Sequence, residues 1–166
     1  MDKIIQLKEA MIEYYRGDAK RIQHFIKVHS FAKLIGELEE LDGKTLFVLE
    51  SAALVHDIGI KPAEEKFKSC SGRLQEQEGE APAREMLTLL NYDERDIDRI
   101  CFLVAHHHTY DCIDSADYQI LVEADFLVNI MEDNLPDKAA LSAYQNVFRT
   151  ACGKKICKEM FALKEE

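Results

Sequence analysis

The chain has 166 residues, of which 47% are hydrophobic and 31% charged, and this balance excludes a disordered protein and fits one globular domain. Its net charge of −10 argues against a nucleic-acid polymer or a membrane surface as partner, because both require a basic face. No apolar run approaches the roughly 18 residues of a membrane span. The N-terminus lacks a signal peptide's apolar stretch, and the five cysteines form no Cys-x-x-Cys pair. We therefore expect a cytoplasmic protein with free thiols.

Helical periodicity fills nearly all of the sequence between its turns, and the alternating Val and Ile runs of strands are missing from it. We predict an all-α fold, a compact single-domain bundle of seven to nine helices. Residues 57–79, which contain three glycines and a proline, are expected to be less regular. The predicted helices, with their caps, cover about 3–16, 18–41, 45–56, 80–90, 93–107, 114–133 and a C-terminal pair over 137–163 that separates near Gly153.

Two histidines lie on buried faces of the predicted helices. His29 continues an apolar stripe with Phe25 and Ile26 at helical spacing. His56 ends the apolar face of the third helix, and Asp57 follows it where the turning backbone lets both side chains converge on one point. A lone buried histidine is more often a satisfied core residue than a ligand, so His29 alone does not identify a site.

Further polar groups interrupt the later helices. Three consecutive imidazoles at 106–108 cannot all be packed cheaply in a core, which favours metal binding by at least one of them. Asp125 lies on an apolar helical stripe, where a carboxylate is costly unless it is paired or bound to metal. Glu123 lies about 200° away from Asp125 around the helix, so we expect it to face solvent.

These groups have one economical explanation, a shared divalent cation inside the bundle. The candidates are His29, the His56-Asp57 doublet, the histidines at 106–107 and Asp125. Mixed imidazole and carboxylate ligands suit Mn, Fe, Co, Ni or Zn better than Ca. Such a cation can polarise a phosphoryl oxygen and activate water near neutral pH.

The order His…His-Asp…Asp resembles the HD-domain metal-dependent phosphohydrolase superfamily. His29 stands 27 residues before His56, and Asp125 stands 68 residues after Asp57. The resemblance covers about residues 20–133 and implies that His29, His56, Asp57 and Asp125 hold one metal (Mn, Fe, Co, Ni, Zn or Mg) in an all-α core. We expect helices over 137–163 to pack on that core and residues 1–166 to form one HD-type domain.

Some members of this superfamily carry a second metal, bound by an extra histidine and a His-His pair. His106-His107 resembles that pair, and Asp111 follows His106 by five residues as in the two-metal branch. No histidine occurs between residues 58 and 105, so the extra ligand is missing. Glu78 is a candidate carboxylate substitute for it, although a solvated glutamate at the helix start is the favoured interpretation. The Gly-Tyr-Pro signature of the cyclic-dinucleotide enzymes is also missing, so that substrate is not implied.

A basic segment follows the doublet directly. Residues 61–73 carry four basic and two acidic side chains in an otherwise acidic chain. Lys61, which is closest to Asp57, and Arg73 are the predicted phosphate-binding residues, with a solvated surface loop as the alternative. Residues 138–166 contain six basic and three acidic residues, which we assign to helix packing or self-association, so a homo-oligomer stays open.

The resemblance implies hydrolysis of a phosphoester in a small phosphorylated compound, with a nucleotide as one candidate. Water activated by the metal attacks phosphorus, Asp57 orients that water, and His106 or His107 stabilises the developing charge or completes a second metal site. Two alternatives remain from the same resemblance: an HD-type di-iron oxygenase, and a non-catalytic nucleotide-binding sensor domain.

Overall fold

A computed structural model describes residues 2–164 of the chain. Within that range the protein is built from nine α-helices, which confirms the predicted all-α bundle. The helices are α1 (Lys3–Tyr14), α2 (Ala19–Leu38), α3 (Gly43–Val55), α4 (Ile60–Phe67), α5 (Gly72–Leu89), α6 (Glu94–Val104), α7 (Ala116–Glu132), α8 (Asp137–Asn146) and α9 (Ala151–Met160).

Aspartate side chains cap the first turns of α2 and α3. The Asp18 carboxylate accepts from the backbone N–H of Arg21, and that of Asp42 accepts from Lys44 and Thr45. Each bond satisfies an N–H group that the first helical turn leaves without a partner. These caps therefore set where α2 and α3 begin.

Residues 57–79 are more regular than expected, because α4 and the first half of α5 occupy most of them. Gly79, which suggested a break, lies inside α5 and faces Gly59 at the start of α4. A Cβ on Gly59 would lie 2.2 Å from the carbonyl oxygen of Gln75 and 2.8 Å from the nitrogen of Gly79. These glycines allow two helices to touch through their backbones rather than ending a helix.

Helix α3 is the centre of the core. Its residues 48–55 are all buried, and it packs against α1, α2, α6 and α7. A helix that carries apolar residues on every side must be surrounded by other elements, because none of its faces is wholly suited to contact with water. His56 and Asp57 follow α3 directly, so burial of this helix delivers the doublet to the interior of the bundle.

The C-terminal helices pack on the rest through a buried carboxylate. Glu123 of α7 was expected in solvent, and this prediction was wrong because its side chain is fully buried. One carboxylate oxygen accepts from the backbone N–H groups of Arg149 (2.7 Å) and Thr150 (2.9 Å), just before α9. Gly153 lies inside α9 and not at a break between two helices. A glycine is needed there because a Cβ would collide with the Glu123 carboxylate.

Between residues 2 and 164, no helix is both long enough and apolar enough to cross a membrane.

Candidate metal centre

The end of α3 places the doublet at the centre of a polar cluster. His56 is fully buried, and its Nδ1 donates to the carbonyl oxygen of Ala53 at 2.9 Å. The buried Tyr15 hydroxyl donates to the carbonyl oxygen of Asp57 at 2.8 Å. The two hydrogen bonds hold the turn after α3 from both sides, so the ring and the carboxylate have defined directions.

Two helices, α2 and α7, and the turn after α3 supply the first group of ligand atoms. His24 Nε2 of α2 lies 3.2 Å from Asp57 Oδ2, 3.2 Å from Asp125 Oδ1 and 3.2 Å from His56 Nε2. His56 Nε2 lies 3.4 Å from the same two carboxylate oxygens. The structure thus brings His56, Asp57 and Asp125 together with His24, so that two imidazoles and two carboxylates meet at one point.

The first histidine of the cluster is His24, and the expectation for His29 was wrong. His29 lies five residues further along α2, about 140° around the helix from His24. Its Nε2 instead contacts Glu50 Oε1 of α3 at 3.0 Å. Both histidines are buried, because α2 packs against α3 and α7 along a wide face. The signal for His24 was its i, i+4, i+8 spacing with Val28 and Ala32, which are also buried.

A second group shares Asp57. Its Oδ1 lies 3.4 Å from His107 Nε2, while its Oδ2 faces His24 and His56. One ring nitrogen of His108 lies within 4.8 Å of the ligand atoms of Asp57 and His107. Asp57 therefore stands between two ligand groups and offers one oxygen to each.

His106 and Glu78, which were predicted as ligands of a second metal, lie in neither group. The His106 Nδ1 donates to the carbonyl oxygen of Phe102 at 2.7 Å, and its ring stacks on Phe102 with centroids 4.2 Å apart. Glu78 pairs with Lys66 and Gln77. The turn after α6 directs the rings of His107 and His108 inward, whereas the His106 ring stays in contact with α6. The His-His pair at the site is therefore His107-His108, one residue later than the predicted His106-His107.

Gln75 holds His108 from the side of α5. The Gln75 amide nitrogen donates to the carbonyl oxygen of Cys70 at 2.7 Å, so its Oε1 is the atom that faces His108 Nε2 at 2.8 Å. Because an amide oxygen only accepts, His108 Nε2 must carry the proton. The nitrogen of His108 with a free lone pair is therefore Nδ1.

The other three imidazoles of the cluster carry their proton on Nδ1 and the free lone pair on Nε2. This arrangement tests whether the cluster fits a cation. Nδ1 of His56 and His107 donates to backbone carbonyls, and Nδ1 of His24 donates to Glu132 Oε2 at 2.9 Å. In neutral rings all three Nε2 atoms then direct lone pairs at carboxylate oxygens, which repel them. Among the residues described, His107 Nε2 and Asp125 Oδ1 are buried without a hydrogen-bond partner. A divalent cation would satisfy these atoms together, so the residues fit a metal.

The electrostatics of the cluster agree with this fit. Burial disfavours the charged form of His24, but the neighbouring carboxylates of Asp125 and Asp57 raise its pKa to about 10. The same carboxylates hold the pKa of His56 well above its ordinary value despite complete burial. Burial also opposes ionisation of Asp57, yet the surrounding histidines hold its pKa well below the ordinary value. The site therefore requires positive charge, which protons supply when no metal is bound.

Glu132 completes the support for His24. Its carboxylate accepts from His24 Nδ1 through one oxygen, and its other oxygen lies 2.6 Å from Lys27 Nζ. Burial would raise the pKa of Glu132, but Lys27 and His24 lower it. A carboxylate behind a metal-ligating imidazole fixes the tautomer and the direction of the ring.

A cavity of about 410 Å³ opens onto the cluster. Its walls come from α2, α4, α5 and α7 and from the turns near them. The lining residues are Asp18, Lys20, Arg21, His24, Asp57, Ile60, Cys70, Gln75, His108, Asp125, Asn129, Glu132 and Asp133. A small molecule can therefore reach Asp57 and Asp125 from outside.

The two predicted phosphate-binding residues do not line this cavity. Lys61 donates to the carbonyl oxygen of Tyr14 at 3.1 Å and lies over the Tyr14 ring, and Arg73 is exposed elsewhere. The basic side chains in the cavity wall are Lys20 and Arg21 at the start of α2. Proximity to Asp57 in the sequence was misleading, because α4 turns Lys61 toward α1.

Comparisons with known proteins agree with this architecture. A family model described as HD domain matches residues 21–131. A predicted HD superfamily hydrolase from an uncultured Thermotogales bacterium is 22% identical, with a TM-score of 0.68 over 95% of this chain and 84% of that one. YpgQ from Bacillus subtilis is 18% identical, with a TM-score of 0.65 over 96% of this chain and 88% of that one. No curated protein matches the sequence. Because the family match spans more than half of the sequence and includes the whole cluster, the chain belongs to the HD domain family.

Proposed function

We propose that the protein is a metal-dependent phosphohydrolase that cleaves a phosphoester in a small phosphorylated compound. A metal-dependent, hydrolase-type function is supported by membership of the HD domain family and by the His and Asp groups that could hold a metal. The name of the Thermotogales protein, an HD superfamily hydrolase, points the same way. The observation that carries the proposal is the convergence of His24, His56, Asp57 and Asp125 at the inner end of an open cavity.

The proposed ligands of a first metal are those four residues, and His107 and His108 could hold a second metal together with Asp57. A bound divalent metal supplies a Lewis acid for a phosphoryl oxygen and lowers the pKa of a bound water. The donor set of imidazoles and carboxylates suits Mn, Fe, Co, Ni or Zn.

The residues of the chain have separate tasks in this proposal. Asp57 and Asp125 accept hydrogen bonds from an attacking water and so aim it at phosphorus, while burial keeps other water away. Glu132 holds the His24 ring in place, and Tyr15 holds the backbone of Asp57. His107, and not His106, takes the second-metal role predicted for the His106-His107 pair, because its Nε2 lies beside Asp57.

Lys20 and Arg21 are the proposed phosphate-binding residues. Arg21 lines the cavity while paired with Asp18 at 2.7 Å and Glu64 at 2.6 Å, which fixes its direction. Lys20 lines the same wall and is exposed. A cation beside the metal neutralises the phosphate charge that would otherwise be repelled by Asp57 and Asp125.

The test compares two histidine variants of the metal-loaded protein. We expect the wild type with Mn²⁺, Co²⁺ or Ni²⁺ to release inorganic phosphate from a panel of phosphomonoesters. The variant His24→Ala should lose at least about 100-fold in kcat/KM and much of its bound metal, because a ligand is removed. The control variant His29→Ala removes a buried histidine of the same helix and should retain both.

Phosphate release measured colorimetrically, together with metal content by mass spectrometry, decides the outcome. Equal hydrolysis by wild type and His24→Ala would exclude the assigned centre. Two tightly bound irons per chain with O₂ consumption and no phosphate release would replace the hydrolase with an oxygenase.

A further inference from the structure

Most of the side chains that line the cavity are polar. Ile60 is its one purely aliphatic side chain, and no phenylalanine or tyrosine of the described chain lines it. The two imidazoles in the wall, His24 and His108, are already packed against other rings, with centroids 5.3 Å from His56 and 4.0 Å from His107. A flat nucleobase, which is usually held by stacking on an aromatic face, finds no phenylalanine or tyrosine ring to stack on in this wall.

Three side chains in the wall have uncommitted hydrogen-bonding groups. Lys20, Asn129 and Asp133 line the cavity, and between residues 2 and 164 none of them makes a side-chain hydrogen bond or ion pair. They differ from the other charged groups of the wall, which hold one another: Arg21 with Asp18, and Glu132 with His24 and Lys27. The uncommitted groups are therefore available to a ligand without the loss of an existing ion pair.

Asn129 and Asp133 lie one turn apart at the end of α7, where Asp133 N–H donates to the carbonyl oxygen of Asn129 at 2.9 Å. Their side chains lie on one face of the helix because of the i, i+4 spacing. A carboxylate accepts from two hydroxyl groups, and an amide both accepts and donates. This pair matches the adjacent hydroxyl groups of a sugar or polyol, while Lys20 supplies the donor for a phosphate oxygen.

We propose, building on the proposed function, that the substrate is a sugar or polyol monophosphate without a nucleobase. The volume of about 410 Å³ lies within the usual range for small-molecule pockets and accommodates a pentose or hexose phosphate. Asn129 and Asp133 bind the hydroxyl groups, Lys20 and Arg21 bind the phosphate, and the ester bond lies next to Asp57. A base attached to the sugar would meet charged walls without a stacking partner.

The test uses two substrates that differ only by a base. Ribose 5-phosphate and adenosine 5′-monophosphate share the sugar and the ester. Phenyl phosphate is a phosphoester that contains neither a sugar nor a nucleobase, so it reports hydrolysis of the ester alone. With the Mn²⁺-loaded wild type, we expect kcat/KM for ribose 5-phosphate to exceed that for adenosine 5′-monophosphate by about tenfold or more, measured as phosphate release. If the nucleotide is cleaved as efficiently as the sugar phosphate or better, the substrate class is wrong while the proposed function stands.

A variant pair links the preference to α7. In Asp133→Ala, the ratio of kcat/KM for ribose 5-phosphate to that for phenyl phosphate should fall by roughly 3- to 10-fold, as expected for one lost hydrogen bond. Asp137→Ala removes an exposed carboxylate outside the cavity wall and should leave the ratio as in the wild type. An unchanged ratio in Asp133→Ala would overturn the assignment of the hydroxyl-binding pair. If none of the three esters is hydrolysed, the proposed function fails and the substrate class falls with it.

Discussion

Helix α2 contains two buried histidines with opposite electrostatic surroundings. His24 faces carboxylates that raise its pKa, whereas His29 has its pKa lowered to about 4. Burial is the main cause for His29, and the positive charge of Lys8 adds to it, although Glu50 acts in the other direction. His24 therefore attracts cations, and His29 behaves as a neutral core residue that donates or accepts one hydrogen bond.

The lowered pKa of His29 predicts a stability loss in mild acid. The unfolded chain takes up a proton near pH 6.5, while the folded protein resists protonation until about pH 4. Stability is thus complete above about pH 6.5 and falls as the pH decreases toward 4, by about 2 kcal/mol between pH 7.5 and pH 5.

Urea unfolding of metal-free protein across this range measures the effect. The variant His29→Gln keeps a hydrogen-bonding side chain but cannot titrate, so its free energy of unfolding should depend less on pH by that amount. Parallel pH profiles for variant and wild type would show that His29 does not stay neutral in the fold.

At the scale of elements, the contact between α4 and α5 positions one wall of the cavity. Gly59 and Gly79 bring the two backbones together, and this places Gln75 of α5 beside His108. Glu76, next to it, accepts from the backbone N–H of His108 and from the Thr109 hydroxyl, both at 2.9 Å. Helix α5 thereby fixes the turn that carries His107 and His108.

The variant Gly59→Ala should destabilise the protein. The added Cβ collides with backbone atoms of α5, which cannot move aside as a flexible side chain would. We expect a loss of about 1–3 kcal/mol in the free energy of unfolding, measured by urea titration. Gly43→Ala is the matched control, because a Cβ there meets nothing within 4 Å at the first turn of α3. Equal stabilities of the two variants would contradict the close approach of α4 and α5.

At the scale of the whole molecule, the cluster joins parts of the chain that are far apart in sequence. Ligand atoms come from α2, the end of α3, the turn after α6, and α7. Each of these elements also packs on α3 or α2, so the helical core brings the ligands together before any cation binds. A cation bound at this point would link four segments at once.

Metal binding should therefore stabilise the fold as a whole. At a free Mn²⁺ concentration about 100 times Kd, binding adds about 2.7 kcal/mol, which corresponds to a rise in Tm of roughly 5–10 °C for a chain of this size. Differential scanning calorimetry with Mn²⁺ and then with excess chelator measures the shift and its reversal. His24→Ala should show little of this rise, and His29→Ala should show it in full. A rise of the same size in His24→Ala would mean that the metal binds elsewhere.

Local patterns in the sequence were sufficient for the helices and for part of the centre. Apolar periodicity predicted most of the helices, since it acts over a few residues. The His56-Asp57 doublet and Asp125 were predicted because they interrupt apolar faces that must be buried. The 57–79 segment was predicted less well, because its glycines reflect contact between two helices and not a break in either.

Only the tertiary structure decided which buried groups meet. Periodicity shows that His24 and His29 both face inward, but the helix that lies opposite each ring makes one a partner of Asp125 and the other a partner of Glu50. Tertiary contacts also decided that His107 and His108, and not His106, face Asp57. They buried Glu123 against the start of α9, and they placed Lys20 and Arg21, and not Lys61, in the cavity wall. A sequence pattern records which side of a helix avoids water, whereas the identity of the neighbour depends on crossing angles and close contacts between segments that are distant along the chain.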